Sequence, residues 1–123
     1  MIVETTPSAF SQKPADNIVI KHVDAATFQK LSKTLSYVIV DVRTPREFSE
    51  GHLVGAQNLD FSGDDFTSSI ASLDRTSNYL VYCNNGRRSA MATEQMKDAG
   101  FMKITDLKGG ITAWKEARLP LAH

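Results

Sequence analysis

The chain has 123 residues, of which 41% are hydrophobic and 23% are charged, and its 14 basic residues balance its 14 acidic ones. This composition is that of one soluble globular domain, and a net charge of zero provides no overall field that would recruit nucleic acid or an anionic membrane. The single cysteine excludes an internal disulfide and a metal site built from several thiolates, and we expect no metal because the three histidines are scattered without ligand-like spacing.

The N-terminal part of the chain predicts a leader, a strand and a helix. Residues 1–17 are polar and contain two prolines, so we expect a flexible leader, without the basic and apolar segments of a secretory signal. "NIVIKHV" has the β-branched content of a strand. "DAATFQKLSKTL" predicts a helix capped by Asp24, with apolar side chains at helical spacing up to Leu35. No apolar stretch approaches the roughly 18 residues that a membrane span needs.

The next segment predicts two strands on either side of a short helix. "YVIVDV" is a continuous apolar run, which is typical of a strand buried on both faces of a parallel sheet. "TPREFSEGH" predicts a short helix that begins with Pro45 and ends at Gly51. "GAQNLDF" predicts the second strand, which leads out through a turn.

The second half of the chain continues this alternation. Its predicted elements are, in order, the helix "DDFTSSIASL", the strand "NYLVYC", the helix "RRSAMATEQMKDAG", the strand "KITDL" and the helix "GGITAWKEARLP". The helix candidates carry their apolar side chains on one face. Strands that alternate with helices predict an α/β open domain with a central, mainly parallel sheet.

The one cysteine, Cys83, stands between the apolar run "YLVY" and the segment "NNGRRS". Ligands of open α/β sheets bind beyond the carboxyl ends of the strands, and the positive end of a helix that starts just after the cysteine favours an anion there. We therefore expect this field to stabilise a thiolate at Cys83. Gly86 permits a tightly curved loop, and Arg87 and Arg88 add persistent positive charge. The stretch predicts a nucleophile and an anion pocket in one loop.

A structural cysteine is the alternative interpretation of the same stretch. Free cysteine is among the most often buried residues, and Cys83 could simply complete a strand. Two arginines at a helix start oppose this interpretation, because the helix dipole prefers acidic residues at that end.

Three motifs make the chain resemble a known family. "CNNGRRS" resembles the active-site loop of single-domain rhodaneses, the sulfurtransferases, in which four residues separate a cysteine from an arginine that precedes a small residue. "VIVDVRTPREFSEGHLVGAQNLDF" is similar to the family's upstream signature, and "GGITAW" to its C-terminal signature. We place the rhodanese-like domain at residues 18–123 and leave the leader, residues 1–17, outside it.

The resemblance implies a fold and a reaction. The fold is a central parallel sheet of about five strands with helices on both faces. In the reaction, the Cys83 thiolate attacks the outer sulfur of a small anionic donor such as thiosulfate, and a thiophilic acceptor then removes the sulfur from the Cys83 persulfide. The acceptor is cyanide or a thiol, with thioredoxin-like proteins, glutathione and biosynthetic partners as candidates. The family requires no cofactor for this chemistry, and we expect a monomer.

By the same resemblance, the loop after the cysteine binds the donor and the persulfide. Its six residues are Asn84, Asn85, Gly86, Arg87, Arg88 and Ser89. Their backbone amides are expected to stabilise the persulfide charge. Arg88 matches the family's loop arginine and is assigned to anion binding and loop order, whereas Arg87 stands at a variable position, where a contact with the donor is the weaker hypothesis.

Residues outside the loop are expected to support it. Asp41 and Arg43 end the preceding core strand, and the resemblance implies that they support the site, with Asp41 pairing a loop arginine. The alternative is a structural ion pair, such as Arg43 with Glu47 four residues later. For His52 we favour a structural role in the turn over that of a general base, since the thiolate is already a nucleophile. Core packing is the simplest role for Trp114.

Two other functions compete with sulfur transfer. Cysteine-loop phosphatases and arsenate reductases of related fold place five residues between cysteine and arginine, a position that Ser89 occupies here. The shorter spacing to Arg88 suits a single sulfur atom better than a tetrahedral oxyanion. The other alternative is a non-catalytic binding module, or a sulfur carrier that serves one partner protein. Binding modules of this family commonly lack the cysteine.

The expected location is the cytoplasm, because a lone reactive thiol suits a reducing compartment. The alternative is an exported or periplasmic protein, if residues 1–17 are the tether of a processed precursor.

Overall fold

The computed structural model describes residues 19–34 and 36–123. Within this part of the chain, the strands are β1 (Lys21–Val23), β2 (Tyr37–Asp41), β3 (His52–Leu53), β4 (Gln57–Asn58), β5 (Asn78–Tyr82), β6 (Lys103–Leu107) and β7 (Leu121–Ala122). The helices are α1 (Ala25–Ser32), α2 (Pro45–Ser49), α3 (Phe66–Ala71), α4 (Arg87–Asp98) and α5 (Gly110–Glu116). The expected leader and Leu35 lie outside the described residues, so the domain boundary stays a prediction.

Five strands form one parallel sheet in the order β1-β6-β5-β2-β4. The central strand β5 pairs with β2 on one side, where Val40 lies opposite Val81, and with β6 on the other, where Val81 lies opposite Asp106. Leu80 and Val81 are completely buried. The apolar runs that predicted strands buried on both faces are thus the inner strands, and the predicted five-stranded parallel sheet is confirmed.

The two edge strands are shorter than the sequence indicated. Of the described part of "NIVIKHV", residues 19–23, three residues form β1, and two residues of "GAQNLDF" form β4. Each of these strands pairs on one side only, so fewer backbone contacts hold it extended. After β4 the amides of Leu59 and Phe61 still donate hydrogen bonds to the carbonyl oxygens of Asp41 and Val42, at 2.9 and 3.1 Å. The chain therefore continues alongside the carboxyl end of β2 without a regular ladder.

Helices cover both faces of the sheet and bury two separate apolar clusters. On one face, α3 and α4 pack through Phe66, Ile70, Ala92 and Met96. On the other, α1 and α5 pack through Phe28, Ile111 and Trp114. The Trp114 ring meets the edge of Phe28 at a centroid distance of 6.2 Å and is 3% exposed, which confirms its core role.

The helix α2 begins at Pro45, as predicted, directly beyond the carboxyl end of β2. Pro45 is its first residue, and Thr44 and Glu47 form a reciprocal capping box: Oγ1 of Thr44 accepts the N–H of Glu47 at 3.2 Å, and Oε1 of Glu47 accepts the N–H of Thr44 at 3.0 Å. This local cap places the Glu47 carboxylate at the edge of the sheet where β2 and β5 end.

An additional two-stranded antiparallel sheet joins β3 to β7, with His52 opposite Ala122. The sequence analysis did not predict it. Two-residue strands carry too little alternation to be recognised from their pattern.

Candidate active site

Cys83 is the first residue after β5, and its side chain is completely buried. Its Sγ accepts backbone N–H groups from Gly86 at 3.1 Å and from Ser89 at 3.3 Å, and it lies 3.5 Å from Oγ of Ser89. Cys83 packs against the apolar cluster of α3 and α4, as the structural interpretation expects, and its sulfur atom also faces two amide donors, so its role as a nucleophile stays a prediction. Such donors stabilise negative charge on sulfur.

The loop curves because Gly86, the residue before α4, has φ +100°, a left-handed conformation that glycine adopts without strain. Two amides of the loop reach the sulfur of Cys83, those of Gly86 and Ser89. The amide of Arg87 instead donates to Oδ1 of Asn85 at 3.1 Å. The loop therefore directs specific amides to the sulfur, whereas the sequence analysis expected a contribution from every residue of Asn84–Ser89.

Arg88 lies against Glu47 of α2 in a two-pronged ion pair. Nη1 donates to Oε1 at 2.8 Å, and Nη2 donates to Oε2 at 3.0 Å. The Arg88 hydrogen bonds are the largest cause that lowers the pKa of Glu47 from 4.5 to about 2, so this carboxylate is charged at neutral pH. The charge of the loop arginine is consequently balanced inside the protein.

Asp41 and Arg43 do not form the ion pairs expected for them. Arg43 forms its ion pair with Asp41, at 2.8 Å between Nη2 and Oδ2, and not with Glu47. Asp41 therefore pairs with its near neighbour and not with a loop arginine. The two side chains meet because the backbone turns at the end of β2. At this turn the N–H of Arg43 also donates to Oδ1 of Asp41, at 2.8 Å.

Asn84, the residue after the cysteine, bridges the two ion pairs. Its Oδ1 accepts from Nη1 of Arg43 at 3.2 Å, and its Nδ2 donates to Oε2 of Glu47 at 2.6 Å. Asp41 and Arg43 thus do reach the loop, through this one amide side chain. The Asp41 and Arg43 side chains are 0% and 4% exposed, so water barely screens this end of the bridge.

The start of α5 holds the backbone of the loop from the other side. The N–H of Ile111 donates to the carbonyl oxygen of Cys83 at 2.8 Å, and the N–H of Thr112 donates to that of Asn84 at 3.0 Å. Gly110, with φ +61°, lies so close that an added Cβ would be 2.5 Å from the carbonyl carbon and oxygen of Asn84 and would overlap the carbonyl oxygen of Cys83. The motif "GGITAW" is therefore part of the site as well as the start of a core helix.

Among the residues around this site, Glu47 and Gly110 have roles that no local sequence pattern indicates. The spacing of Thr44 and Glu47 is a capping-box signal that marks a helix start, but it does not reveal a partner 41 residues later. Paired glycines before a helix indicate an unusual backbone path, without indicating which segment lies beside them.

His52 makes structural contacts, in agreement with the role favoured for it. Its Nδ1 donates to the carbonyl oxygen of Phe48 at 2.8 Å, and its ring stacks on the Phe48 ring at a centroid distance of 3.7 Å. In residues 19–34 and 36–123, no three His, Cys, Asp or Glu side chains group closely enough to hold a metal ion. No helix in the described part of the chain has the length and apolar character to cross a membrane.

Arg87 is the remaining cation of the loop. It is exposed, and it takes part in no ion pair among the described residues, whereas Arg43 and Arg88 are both paired with carboxylates. Of these three arginines, Arg87 is thus the one whose charge no described carboxylate balances, so a bound anion could use it.

This chain is similar to several known proteins. The family model described as "Rhodanese-like domain" matches residues 24–117. The chain is 37% identical over 91 residues to "Thiosulfate sulfurtransferase 16, chloroplastic" of Arabidopsis thaliana, covering 66% of this chain and 76% of that protein. It is 30% identical over 104 residues to a protein of Allochromatium vinosum named "Sulfurtransferase", covering 84% and 95%.

Two further relatives are longer, and the chain covers 51% and 52% of their lengths. Among solved structures, the crystal structure of a rhodanese-related protein from Thermoplasma volcanium is similar, with a TM-score of 0.74 and 31% identity, covering 83% of this chain and 97% of that one.

Proposed function

This chain belongs to the rhodanese-like domain family, and we propose that it is a sulfurtransferase that moves a sulfane sulfur through a Cys83 persulfide. The observation that carries the proposal is the pair of amide donors, from Gly86 and Ser89, on Sγ of Cys83. Two convergent amides favour negative charge on sulfur both before the reaction and in a persulfide. The names of the relatives, sulfurtransferase and thiosulfate sulfurtransferase, support the same reaction class.

The proposed reaction is a double displacement with thiosulfate as the donor. The Cys83 thiolate attacks the outer sulfur, an Sγ–S bond forms, the S–S bond of thiosulfate breaks, and sulfite leaves with the electron pair. In the second half, cyanide or a thiolate attacks the outer sulfur of the persulfide. The Sγ–S bond then breaks, and its electron pair restores the Cys83 thiolate. Neither half requires a general base.

The roles of the loop residues follow from their contacts. Gly86 and Ser89 donate the amides that hold the sulfur. Arg88 orders the loop through Glu47, and Arg87, which is exposed and free of carboxylate partners among the described residues, attracts the anionic donor. Because the Arg88 charge is balanced by Glu47, we assign it to loop order rather than to direct donor binding.

The acceptor and the setting of the reaction are part of the proposal. We propose a thiol acceptor, with a thioredoxin-like protein as the candidate, and cyanide as its substitute in an assay. We also propose that the protein is a monomer and acts in the cytoplasm, because a reducing compartment keeps a lone reactive thiol from oxidation.

Intact-mass measurement after incubation with thiosulfate tests the proposed function. Wild type should gain one sulfur atom on Cys83 and lose it on addition of cyanide, with release of thiocyanate, whereas Cys83→Ser should gain none. No added sulfur together with hydrolysis of an aryl phosphate would identify a phosphatase. Neither activity in a folded protein would identify a binding module.

A further inference from the structure

The Glu47 carboxylate accepts five hydrogen bonds. Oε1 accepts from the N–H and the Oγ1–H of Thr44, both at 3.0 Å, and from Nη1 of Arg88 at 2.8 Å. Oε2 accepts from Nδ2 of Asn84 at 2.6 Å and from Nη2 of Arg88 at 3.0 Å. Both oxygens therefore face donors only, which an ionised carboxylate can satisfy and a neutral amide cannot.

Two of these partners are the two ends of the loop around the sulfur. Asn84 directly follows Cys83, and Arg88 directly precedes Ser89, the second amide donor to Sγ. The Gly86 amide lies between them. A single carboxylate on a different helix thus holds both ends of the segment whose amides must converge on the sulfur. Charge-assisted and bidentate hydrogen bonds are the strong ones, so the path of this segment depends on them.

We propose that Glu47 is a positioning residue for sulfur transfer: by holding Asn84 and Arg88 together, it keeps the Gly86 and Ser89 amides on the sulfur of Cys83. This inference rests on the proposed function and deepens it, because it gives a residue of α2 a role in placing the amides that hold the sulfur. Nothing in the comparisons assigns a role to this residue. Glu47 itself does not contact the sulfur, so its effect passes through the loop.

The capping role of Glu47 must be separated from its role in the loop, and the chain offers variants for this. Glu47→Gln removes the charge and turns an N–H₂ group toward donors whichever way the amide is placed. Thr44→Ala removes the two hydrogen bonds of the Thr44 hydroxyl, the side-chain half of the capping box, and leaves the contacts to Asn84 and Arg88. Glu50→Gln removes the same charge at the residue that ends α2, where the side chain is 67% exposed and lies 3.8 Å from Arg46. Asn84→Ala removes the contact at one end of the loop only.

The experiment measures two rates on folded protein for each variant: alkylation of Cys83 by iodoacetamide, and single-turnover sulfur loading from thiosulfate. Circular dichroism and a denaturant titration confirm that each variant is folded under the assay conditions. We expect Glu47→Gln to slow both rates at least tenfold, with KM for thiosulfate within about threefold of wild type, because the amides and not the donor contacts are displaced. Asn84→Ala should slow both at least threefold, while Thr44→Ala and Glu50→Gln stay within twofold of wild type.

Wild-type rates in Glu47→Gln would overturn the proposal, and so would an equal loss in Thr44→Ala, which would reduce Glu47 to a helix cap. If Glu47→Gln does not fold, Asn84→Ala decides, and wild-type rates in that variant overturn the proposal. Failure of wild type to load sulfur would instead contradict the proposed function. The alkylation rates would then still decide whether Glu47 positions the loop around Cys83.

Discussion

Ile111 donates its backbone N–H to the carbonyl oxygen of Cys83 at 2.8 Å, so the first turn of α5 holds the backbone of the proposed nucleophile. The unpaired amides at a helix start usually bind a ligand, a side chain or water. Here two of them bind the carbonyl oxygens of Cys83 and Asn84, and Gly110 makes the close approach possible. The loop is thus held by α5 through its backbone and by α2 through its side chains.

A methyl group at Gly110 should displace the loop. Gly110→Ala places a Cβ in contact with the Asn84 carbonyl group at 2.5 Å and strains a residue with φ +61°. We expect the free energy of unfolding to fall by about 2–4 kcal/mol, and thiosulfate:cyanide turnover to fall at least tenfold. Urea denaturation and a thiocyanate assay measure the two effects.

Gly55→Ala is the matched control for that substitution. Gly55 also has a positive φ, +86°, but an added Cβ would meet nothing within 4 Å. Gly55→Ala should lower the free energy of unfolding by only about 1–2 kcal/mol, the cost of backbone strain, and it should leave turnover unchanged. Equal effects of the two substitutions on turnover would contradict a role for the close approach of Gly110.

Removal of the exposed loop cation should weaken donor binding without weakening the fold. Because Arg87 pairs with no carboxylate in the described part of the chain, Arg87→Ala should raise KM for thiosulfate about tenfold and change the free energy of unfolding by less than about 0.5 kcal/mol. Initial rates over a range of thiosulfate concentrations provide the measurement. Lys103 is the first residue of β6, at the edge of the sheet opposite to Cys83. Lys103→Ala removes the same charge and should leave KM for thiosulfate at its wild-type value. An unchanged KM in Arg87→Ala would remove this residue from the donor site.

The Glu47–Arg88 pair should make stability depend on pH in the acid range. The pKa of Glu47 is lowered from 4.5 to about 2 in the folded state, so its contribution is complete above about pH 4.5 and is lost as the pH falls toward about 2. The difference in free energy of unfolding between wild type and Glu47→Gln should shrink over that interval by roughly 1–2 kcal/mol, a value reduced for screening by water. Urea denaturation at several pH values tests this. The free energy of unfolding of Glu50→Gln should change with pH as that of wild type does. A difference that stays constant down to about pH 2 would contradict the pairing.

The buried pair of Asp41 and Arg43 should be costly to break. The Asp41 carboxylate accepts four hydrogen bonds, one from the N–H and three from the side chain of Arg43, at 2.8–3.1 Å. Asp41→Asn leaves the Arg43 charge without its partner, and the free energy of unfolding should fall by about 3–5 kcal/mol. Chemical denaturation measures the loss. A loss below about 1 kcal/mol would mean that the pair does not stabilise the fold.

The parts of this protein that its sequence predicted are those encoded by local pattern. The runs "YVIVDV" and "NYLVYC" are apolar enough to be inner strands, "KITDL" forms the short strand predicted for it, and Asp24 and Pro45 mark helix starts at the places where α1 and α2 begin. A cysteine at the end of such a strand, with a helix after it, indicated an anion-facing sulfur on local grounds alone. The edge strands β1 and β4 were less predictable, since their lengths depend on pairing along one side only.

The sequence by itself thus determined the α/β sheet, the position of Cys83 and the loop that follows it, because hydrophobic period, caps and the order of strand, loop and helix are properties of neighbouring residues. Only the tertiary structure decided which charges pair. Arg43 could have paired with Glu47 by spacing, and Asp41 with a loop arginine by resemblance, yet Arg43 binds Asp41 while Arg88 binds Glu47 across 41 residues. Ion pairing and the close approach of Gly110 to Cys83 depend on how distant segments are placed by the packed sheet, and no local pattern contains that placement.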